Sequence, residues 1–339
     1  MSEKFLAVRL GSLGDVVLST GVLRAWYRLE SAGFAYLTKP KFAPVLEGHP
    51  AIKKVITVPP YALNAPGWIN FCRCLARNLG HLELIDLHSS LRTLFLKAAW
   101  PSATHTYSKQ ALARRVFGLT RHPALKKKLI AADVPARYFQ ALDLGRPGPS
   151  DLGPCIILSP QEKTKARQVI RSVTKKTQVI CLHPYATHPA KAWPAEHWIK
   201  LTALLERKGM DWIVIGQNKT GLVPADPRDL TSGTDIRLTC ALVHHCRLLV
   251  TGDSGPMHLA RAVGTPVLAL FGPTTREWGF YPAGTKDLVL EEDLPCRPCS
   301  LHGRISNLCR AECMGRITPE KVMKGMQYIL DTQLSRCHP

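Results

Sequence analysis

A short polar stretch between two apolar runs constrains the fold of this chain more than any other feature. The polar residues 251–256 follow the run 247–250, and a second run, 267–271, comes soon after them. Such runs predict buried parallel strands, so the segment between them predicts a strand end, a tight turn and a short helix. Ser254 is typical of a helix N-cap, and Pro256 fits the first helical turn, where its missing N–H costs nothing.

The turn itself predicts an anion-binding site. Backbone donors and the helix dipole at such a turn point at one spot beyond the carboxyl end of a strand, where open α/β sheets bind anionic ligands. An ordinary βα turn that needs Gly and Asp only for its geometry is the alternative interpretation. His258, one helical turn beyond Ser254, is expected to face the same opening and favours a phosphate site. The candidate ligands are Asp253, Ser254, Gly255, Pro256 and His258.

Length and hydropathy indicate a two-domain globular protein. The chain has 339 residues, of which 45% are hydrophobic, enough for two sizeable cores. It contains no run of the ~18 apolar residues that a membrane-spanning helix needs. Residues 1–15 hold a short strand rather than a signal peptide, so a cytoplasmic location is expected.

The net charge of +20 predicts an anionic partner. Residues 1–150 carry 21 Lys/Arg against 8 Asp/Glu, whereas residues 151–339 carry 24 against 17, so the first half is the more basic. Nucleic acid, an acidic lipid surface and an acidic substrate all fit such an excess, and solubility alone is the weaker interpretation. The absence of helix-turn-helix, zinc-finger and aromatic-rich RNA-binding patterns argues against nucleic acid.

The N-terminal region predicts a strand, a glycine turn and a helix. The strand covers 5–10, and apolar residues at helical spacing follow Asp15. A G-x-G-x-x-G motif is missing, which argues against a nicotinamide enzyme. Asp15 at the helix start is either a simple helix-start acid or a catalytic carboxylate at the ligand-binding edge of the sheet. Gly11 and Gly14 let another molecule approach the backbone closely and favour catalysis.

Further strands at 34–38, 54–58 and 82–87 alternate with helical segments such as 67–79, which predicts a parallel sheet. A strand-to-helix turn at 86–92 places His88 and Arg92 at the same edge as Asp15. The alternative interpretation is an ordinary capped helix start, with Arg92 as a surface residue. Lys109, Arg114, Arg115 and the lysine run 126–128 add positive charge in the following loop and helix. The alternative interpretation of such a run is a solvated surface.

A Pro- and Gly-rich segment at 143–154 predicts the domain boundary, giving domains 1–154 and 155–339. The second half repeats the alternation, with strands at 178–183 and 212–216 and helices at 195–208 and 238–246. The fold class is therefore α/β, with two doubly wound sheets. Lys191, in a polar loop after the strand 178–183, is either a surface lysine or a point charge for a diphosphate.

Eleven cysteines in a cytosolic protein argue against a disulfide framework. Cys155, Cys181, Cys240 and Cys246 lie in apolar runs and are predicted to be core residues. Cys72 and Cys74 should lie on different faces of a helix. The loop 296–313 differs, because four thiols with the spacing C-x2-C-x9-C-x3-C suit a structural zinc or iron site, against reduced or regulatory thiols. These four are Cys296, Cys299, Cys309 and Cys313.

Six motifs occur in one order along nearly the whole chain. They are Gly11-x-x-Gly14-Asp15, Asp86-Leu87-His88-x-x-x-Arg92, Lys191-x-Trp193-Pro194, Asp253-Ser254-Gly255-x-x-His258 with Ala262-x-Gly264-x-Pro266, Phe271-Gly272-Pro273-Thr274, and Glu312-Cys313-Met314-x-x-Ile317-Thr318-Pro319. Together they resemble the ADP-heptose:lipopolysaccharide heptosyltransferases, glycosyltransferase family 9.

The resemblance implies the GT-B fold, in which two Rossmann-like domains face each other across a central cleft. It implies that the first domain holds an acidic lipid-linked glycan such as the lipopolysaccharide inner core, and that the second holds an ADP-sugar. Asp15 would be the general base of an inverting transfer that uses no catalytic metal. The implied donor ligands are Thr187, Lys191 and the turn residues given above. The candidate acceptor contacts are Gly14 and His88 together with basic residues of the first domain, Arg92, Lys109, Arg114 and Arg115, whose charge fits such an acceptor.

Three further features follow from this resemblance. The basic first domain fits an enzyme on the anionic inner face of the inner membrane. The acidic residue that holds the nucleotide ribose in the family is missing, because residues 217–220 contain no Asp or Glu. A cysteine cluster near 296–313 also occurs in the family, which favours a structural role for it. Independently of the resemblance, the start signal Thr318-Pro319 predicts the last helix at 320–334.

Other functions use the same features. A nucleotide-sugar epimerase or hydrolase fits the scaffold, and a heptosyltransferase could act on a protein acceptor. A non-catalytic module that binds polyanions would explain the charge without nucleotide specificity.

Overall fold

The computed structural model of the protein describes residues 3–144, 152–176, 178–299 and 312–334. The chain forms two compact units. The first unit comprises Met1–Phe117 and Pro123–Ile157, and the second comprises Gly118–His122 and Leu158–Pro339. The boundary after residue 154 stays a prediction.

The first unit is built on a five-stranded parallel sheet with the strand order β3-β2-β1-β4-β5. Its strands are β1 (Glu3–Val8), β2 (Gly33–Thr38), β3 (Ile52–Thr57), β4 (Glu83–Asp86) and β5 (Thr104–Thr106). The helices from this part of the chain are α1 (Leu13–Glu30), α2 (Ala65–Leu79), α3 (Leu91–Ala98), α4 (Ala111–Thr120), α5 (Pro123–Ala131) and α6 (Val134–Phe139). The predicted parallel sheet is confirmed.

The order of this sheet reverses at β1, so a crevice opens between the carboxyl ends of β1 and β4. After β1 the chain turns into α1, and Asp15 lies in the first turn of that helix. After β4 the chain turns into α3, and His88 lies in the connecting turn. Two distant segments of sequence are thereby brought to the same edge.

The core of the first unit is aromatic. Trp26 on α1 packs between Phe34 and Phe139, at ring-centroid distances of 6.1 and 6.2 Å. Its indole N–H donates to the carbonyl oxygen of Phe139 at 3.3 Å. This contact fixes α6 against α1, and α6 also carries Tyr138, whose role in the candidate site is described below.

The second unit repeats the design with the strand order β10-β9-β8-β6-β7, again all parallel. Its strands are β6 (Val179–His183), β7 (Asp211–Val214), β8 (Leu248–Gly252), β9 (Val267–Phe271) and β10 (Leu288–Glu291). Its helices are α7 (Pro160–Val173), α8 (Ala195–Arg207), α9 (Ile236–His245), α10 (Gly255–Ala262), α11 (Glu312–Gly315) and α12 (Pro319–Leu334). The crevice of this sheet lies between β6 and β8.

Six described cysteines outside the loop 296–313 lie where the sequence predicts them. The four that occur in apolar runs are buried, and on α2 Cys72 is buried while Cys74 is exposed. The burial of these four thiols is explained by packing alone.

A glycine in the middle of α1 provides a test of this packing. A Cβ atom at Gly21 would lie 2.3 Å from the carbonyl oxygens of both Leu152 and Gly153. We expect Gly21→Ala to lower stability by about 1–3 kcal/mol, although alanine is the better helix former. Gly118→Ala is the matched control, because nothing lies within 4 Å of its added Cβ, and it should raise stability by about 0.5–1 kcal/mol. Thermal unfolding of both variants measures this, and a stabilised Gly21→Ala would contradict the packing.

Candidate active site

Asp15 lies buried near the start of α1, and the residue as a whole is 8% exposed. The backbone N–H and the hydroxyl of Ser12 donate to its Oδ2 atom at 3.1 and 2.9 Å. These bonds tie the carboxylate to the helix start, as the simple interpretation of a helix-start acid requires. Capping alone, however, does not explain why Arg9 and Tyr138 also contact this carboxylate.

Two distant residues hold the same carboxylate. The Nη2 atom of Arg9 pairs with Oδ2 at 2.5 Å, and the hydroxyl of Tyr138 donates to Oδ1 at 3.0 Å. Arg9 is itself buried, and its Nη1 atom donates to the carbonyl oxygen of Leu87 at 2.6 Å. The Arg9–Asp15 pair thus links the ends of β1 and β4 with α1 and α6.

Neither partner was predicted from the sequence. Arg9 stands in the otherwise apolar predicted strand 5–10, and a buried arginine needs an acidic partner, so this signal was present. Tyr138 lies 123 residues from Asp15, and no sequence pattern connects the two.

These contacts determine the protonation state of Asp15. Burial raises the pKa of the carboxyl, but the Arg9 guanidinium and the hydrogen bonds from Ser12, Arg9 and Tyr138 outweigh burial. The resulting pKa lies below the ordinary value of an aspartate, so the side chain is ionised at neutral pH. A fixed carboxylate of this kind can accept a proton from a hydroxyl group.

His88 lies at the end of β4 within the same electrostatic environment. The backbone N–H groups of His88 and Ser89 donate to Oδ1 of Asp86, at 2.9 and 2.8 Å, which shapes the turn. Burial, together with Arg9 and Lys109, lowers the pKa of His88 to about 4. The imidazole is therefore neutral at pH 7, and its buried Nδ1 has no hydrogen-bond partner among the described residues.

Three cations lie near this edge. Lys109 donates to the carbonyl oxygen of Ser89 at 2.5 Å, and Arg137 donates to the carbonyl oxygen of Lys109 at 3.1 Å. Burial and the neighbouring charge of Arg137 lower the pKa of Arg114 to about 10, so it remains charged at neutral pH. Asp15 acts on the pKa of all three. The structure thus brings together Asp15, His88, Lys109 and Arg114, and it adds Arg137.

The remaining predicted acceptor contacts, Arg92, Arg115 and Gly14, each have different surroundings. Arg92 donates to the carbonyl oxygen of Leu63 at 2.5 Å and lies over the ring of Trp68 at 5.6 Å. Arg115 is exposed on α4, and Gly14 is buried in α1. Arg92 therefore lies beside α2, in contact with Trp68.

In the second unit, Ser254 is the N-cap of α10, but its side chain does not cap the helix. The hydroxyl is within hydrogen-bond distance of Thr251 Oγ1 (3.0 Å) and His183 Nδ1 (3.3 Å) instead. His183 and Thr251 also contact each other at 3.0 Å. Burial lowers the pKa of His183 to about 4, so this ring is neutral at pH 7. The Ser254 hydroxyl is thereby held away from the first amides of α10.

Lys191 lies at the same edge of this sheet. Its Nζ atom pairs with Oδ2 of Asp253 at 2.5 Å, and the same oxygen accepts the hydroxyl of Thr274 at 2.8 Å. The structure therefore brings the lysine of the first loop to the turn after β8, although 62 residues separate them. Both Lys191 and Asp253 are largely buried.

Of the other predicted donor ligands, Thr187 is exposed and His258 is buried. Thr187 is exposed in the loop after β6. His258 is 4% exposed, and its ring lies 6.4 Å from that of Phe280. Its imidazole therefore packs inside the unit, not at an open surface.

The turn after β7 differs from the acidic turn that the resemblance implies. The amide of Gln217 donates to the carbonyl oxygen of Thr234 at 3.1 Å. Gly216 has φ of +130°, and a Cβ at this position would lie 2.5 Å from the Tyr185 ring. Tyr185 therefore packs directly against the backbone of this turn, a contact that was not predicted from the sequence.

The four-cysteine metal site stays a prediction, because Cys309 lies outside the described residues. Cys296 and Cys299 are exposed, whereas Cys313 is buried in the hydrophobic core of the second unit. Within the described ranges, no three His, Cys, Asp or Glu side chains are placed to hold a metal ion.

Comparison with known proteins identifies the family. Residues 137–307, half of the chain, match the model of glycosyltransferase family 9 (heptosyltransferase). The chain belongs to this family. One relative is the lipooligosaccharide heptosyltransferase 2 of Haemophilus ducreyi, 33% identical over 145 residues, or 38% of this chain and 41% of that protein. The matched stretch thus spans less than half of that relative's length.

Two solved structures show the fold. The ADP-heptose lps heptosyltransferase II of E. coli is 21% identical and superposes with a TM-score of 0.71 over 97% of this chain and 99% of that one. The E. coli heptosyltransferase WaaC with ADP-2-deoxy-2-fluoro heptose is 16% identical, with a TM-score of 0.63 over 97% and 99%. The GT-B fold of two Rossmann-like domains is thereby confirmed. Among the described helices, none combines the length and hydropathy needed to cross a bilayer.

The Arg9–Asp15 pair predicts a specific dependence of stability on pH. Because the folded-state pKa of Asp15 is lowered, its contribution to stability is fully present above about pH 4 and is lost as the pH falls through the folded-state value. Asp15→Asn leaves the Arg9 charge buried and unpaired, so we expect a loss of about 3 kcal/mol at pH 7.

Urea unfolding of Asp15→Asn and the wild type between about pH 3 and pH 7 measures this difference, which should narrow below about pH 4. Asp143→Asn makes the same chemical change at an exposed position of the same unit and should have little effect throughout. A difference for Asp15→Asn that is independent of pH would show that the carboxyl gains nothing from Arg9.

Proposed function

We propose that the protein is an inverting glycosyltransferase that moves a heptose from an ADP-heptose donor to an acidic lipid-linked glycan, such as the lipopolysaccharide inner core. Family membership supports the reaction class. The name of the Haemophilus relative supports a lipooligosaccharide acceptor, and the ADP-heptose analogue in the WaaC structure supports the donor. The observation that carries the proposal is the fixed, ionised Asp15 at the crevice of the first sheet.

The two oxygens of Asp15 are not equivalent. Oδ2 accepts from Arg9 and twice from Ser12, whereas Oδ1 accepts from Tyr138 alone among the described residues. Oδ1 therefore keeps a lone pair for an acceptor hydroxyl and is the proposed proton acceptor. As the acceptor oxygen bonds to the anomeric carbon, its proton passes to Oδ1 and the bond from that carbon to the diphosphate oxygen breaks. A single displacement of this kind inverts the anomeric configuration.

The leaving diphosphate gains negative charge in the transition state, and the second unit offers two groups that stabilise it. Lys191 carries three N–H donors, so its bond to Asp253 leaves others for phosphate oxygens. The amides at the start of α10 form the second group, because the Ser254 side chain does not occupy them. Asp253 and Thr274 act by fixing the position of the ammonium group. This scheme assigns the leaving-group charge to protein groups and includes no catalytic metal.

The cations around Asp15 support an acidic acceptor. Lys109, Arg114 and Arg137 provide positive charge close to the proposed base, and His88 provides a neutral ring with an unpartnered nitrogen. Carboxylates or phosphates on the acceptor would pair with these groups and position the hydroxyl. We place this reaction in the cytoplasm, at the inner face of the inner membrane.

Asp15→Asn should lower the rate of transfer at least about 10³-fold, because the amide cannot accept the proton. Donor affinity, measured by calorimetry with ADP, should stay close to that of the wild type, since Asp15 belongs to the first unit. Asp143→Asn is the control for the chemical change. An Asp15→Asn variant with the wild-type rate would show that Asp15 is not the base.

Tyr138→Phe tests the same role in a variant that keeps the carboxylate. The hydrogen bond from Tyr138 lowers the pKa of Asp15, so its loss should raise that pKa. The acid limb of the rate profile should then move to higher pH, and a profile that does not move would contradict the proposed role.

Lys191→Ala should weaken ADP binding about 10- to 100-fold, the range expected for a charge-assisted hydrogen bond. Lys200→Ala removes an exposed lysine from α8 in the same unit and should leave binding unchanged. Thermal shifts with ADP, UDP and GDP compare the nucleotides, and ADP should stabilise the protein most. A larger shift with UDP or GDP would overturn the donor assignment, and equal binding by both lysine variants would overturn the role of Lys191.

A further inference from the structure

Five large apolar side chains are exposed on one part of the first unit. They are between 55% and 79% exposed, and we call this set the apolar rim: Tyr61, Leu63, Leu91, Leu94 and Phe95. Tyr61 and Leu63 lie in a 3₁₀ turn before α2, and the other three lie on α3. Positions 91, 94 and 95 share one face of a helix. Single exposed leucines are ordinary, but a grouped set marks an interaction surface.

Arg92 joins the two parts of the apolar rim. Its guanidinium donates to the carbonyl oxygen of Leu63, and its own carbonyl oxygen accepts the indole N–H of Trp68 at 2.8 Å. The 3₁₀ turn is thereby fixed beside the start of α3. The core requires the burial of Trp68, but it does not require leucine or phenylalanine at the exposed positions around it.

The stretch of sequence that contains the apolar rim is strongly basic. Residues 55–132 contain eleven Lys/Arg and only two Asp/Glu, Glu83 and Asp86. Glu83 pairs with His105 at 2.8 Å, and Asp86 is buried, where it accepts the amides at the start of the next turn. The cores of protein–protein interfaces are depleted of charge, whereas apolar side chains beside Lys and Arg fit an anionic bilayer surface.

We propose that the apolar rim inserts into the headgroup region of an anionic bilayer. Leu91 is the first residue of α3, directly after the turn that carries His88, so the inserted side chains border the edge of the sheet that carries Asp15. The bilayer contact would deliver a lipid-linked acceptor to the proposed base. Delivery of the acceptor rests on the proposed function, whereas membrane binding itself does not.

Insertion has a different signature from attraction by charge alone. Binding that depends only on Lys and Arg is lost when salt shortens the Debye length to a few Å. Inserted apolar side chains keep their contribution under the same conditions, because burial of apolar area is not screened. The proposal therefore predicts binding that salt weakens but does not abolish.

The experiment uses the full chain in flotation with vesicles of phosphatidylcholine containing about 30% phosphatidylglycerol, at about 0.05 M and about 0.5 M salt. We expect the double variant Leu94→Ser, Phe95→Ser to bind about tenfold or more weakly at low salt and to lose binding at high salt. Leu29→Ser is the matched control, because Leu29 is equally exposed on α1 but lies outside the apolar rim. It should bind as the wild type does.

Three results would overturn the proposal. The first is a wild-type protein that does not bind these vesicles, and the second is a double variant that binds as tightly as the wild type. The third is a wild-type dimer, seen by light scattering, that the double substitution converts to a monomer without any change in vesicle binding. That result would assign the apolar rim to contact between two copies of the chain.

Transfer to a detergent-dispersed acceptor separates this proposal from the proposed function. The double variant should retain that activity, because none of its changed side chains touches the proposed reactants. Asp15→Asn should bind vesicles although it is inactive. Loss of vesicle binding with activity intact supports the apolar rim as a membrane contact, whereas vesicle binding by an inactive wild type would overturn only the proposed function.

Discussion

The buried ion pair between Arg9 and Asp15 is the interaction on which the first unit's site depends. Two charges removed from water are stable only when further hydrogen bonds satisfy them, and here these come from Ser12, Tyr138 and the carbonyl oxygen of Leu87. The partners belong to segments that are far apart in sequence. The pair can therefore form only when the sheet, α1 and α6 are all in place, which couples the position of the carboxylate to the fold of the whole unit.

The contacts around Asp15 fix the position of its carboxylate and also reduce its basicity. The same contacts that fix Asp15 lower its pKa, so the carboxylate is a weaker base than a free aspartate but is ionised throughout the neutral range. A base that is already fixed and deprotonated needs no reorganisation when the substrate arrives. In the second unit the ion pair fixes the cation instead, because Asp253 holds Lys191, the proposed ligand of the diphosphate. Each sheet thus uses a buried ion pair to position one functional group at its crevice.

Most of the sheet could be predicted from sequence because its strands are continuous apolar runs. The three-residue β5 was missed, since its residues Thr104–Thr106 are partly exposed and have no apolar pattern. Asp15, Lys191 and the turn after β8 could be placed at the sheet edges from sequence because they follow strand ends, where the fold concentrates ligand sites. Tyr138 was missed because only tertiary packing brings it to Asp15. His183 was hidden for another reason: it ends a buried strand, so its position predicts a core residue and not a partner of Ser254.

The positive charge of the first unit divides into two parts with different physical roles. Exposed lysines and arginines are solvated and cost little, so in the proposed function they supply long-range attraction to an anionic surface. Arg114 and Arg137 are different, because burial lowers the pKa of each, and the charge of Arg137 lowers the pKa of Arg114 further. In the proposed function these two cations lie close to the base, where anionic groups of an acceptor would pair with them and a neutral sugar would not. This proposal therefore predicts a preference for acidic acceptors even where salt has screened the exposed charges.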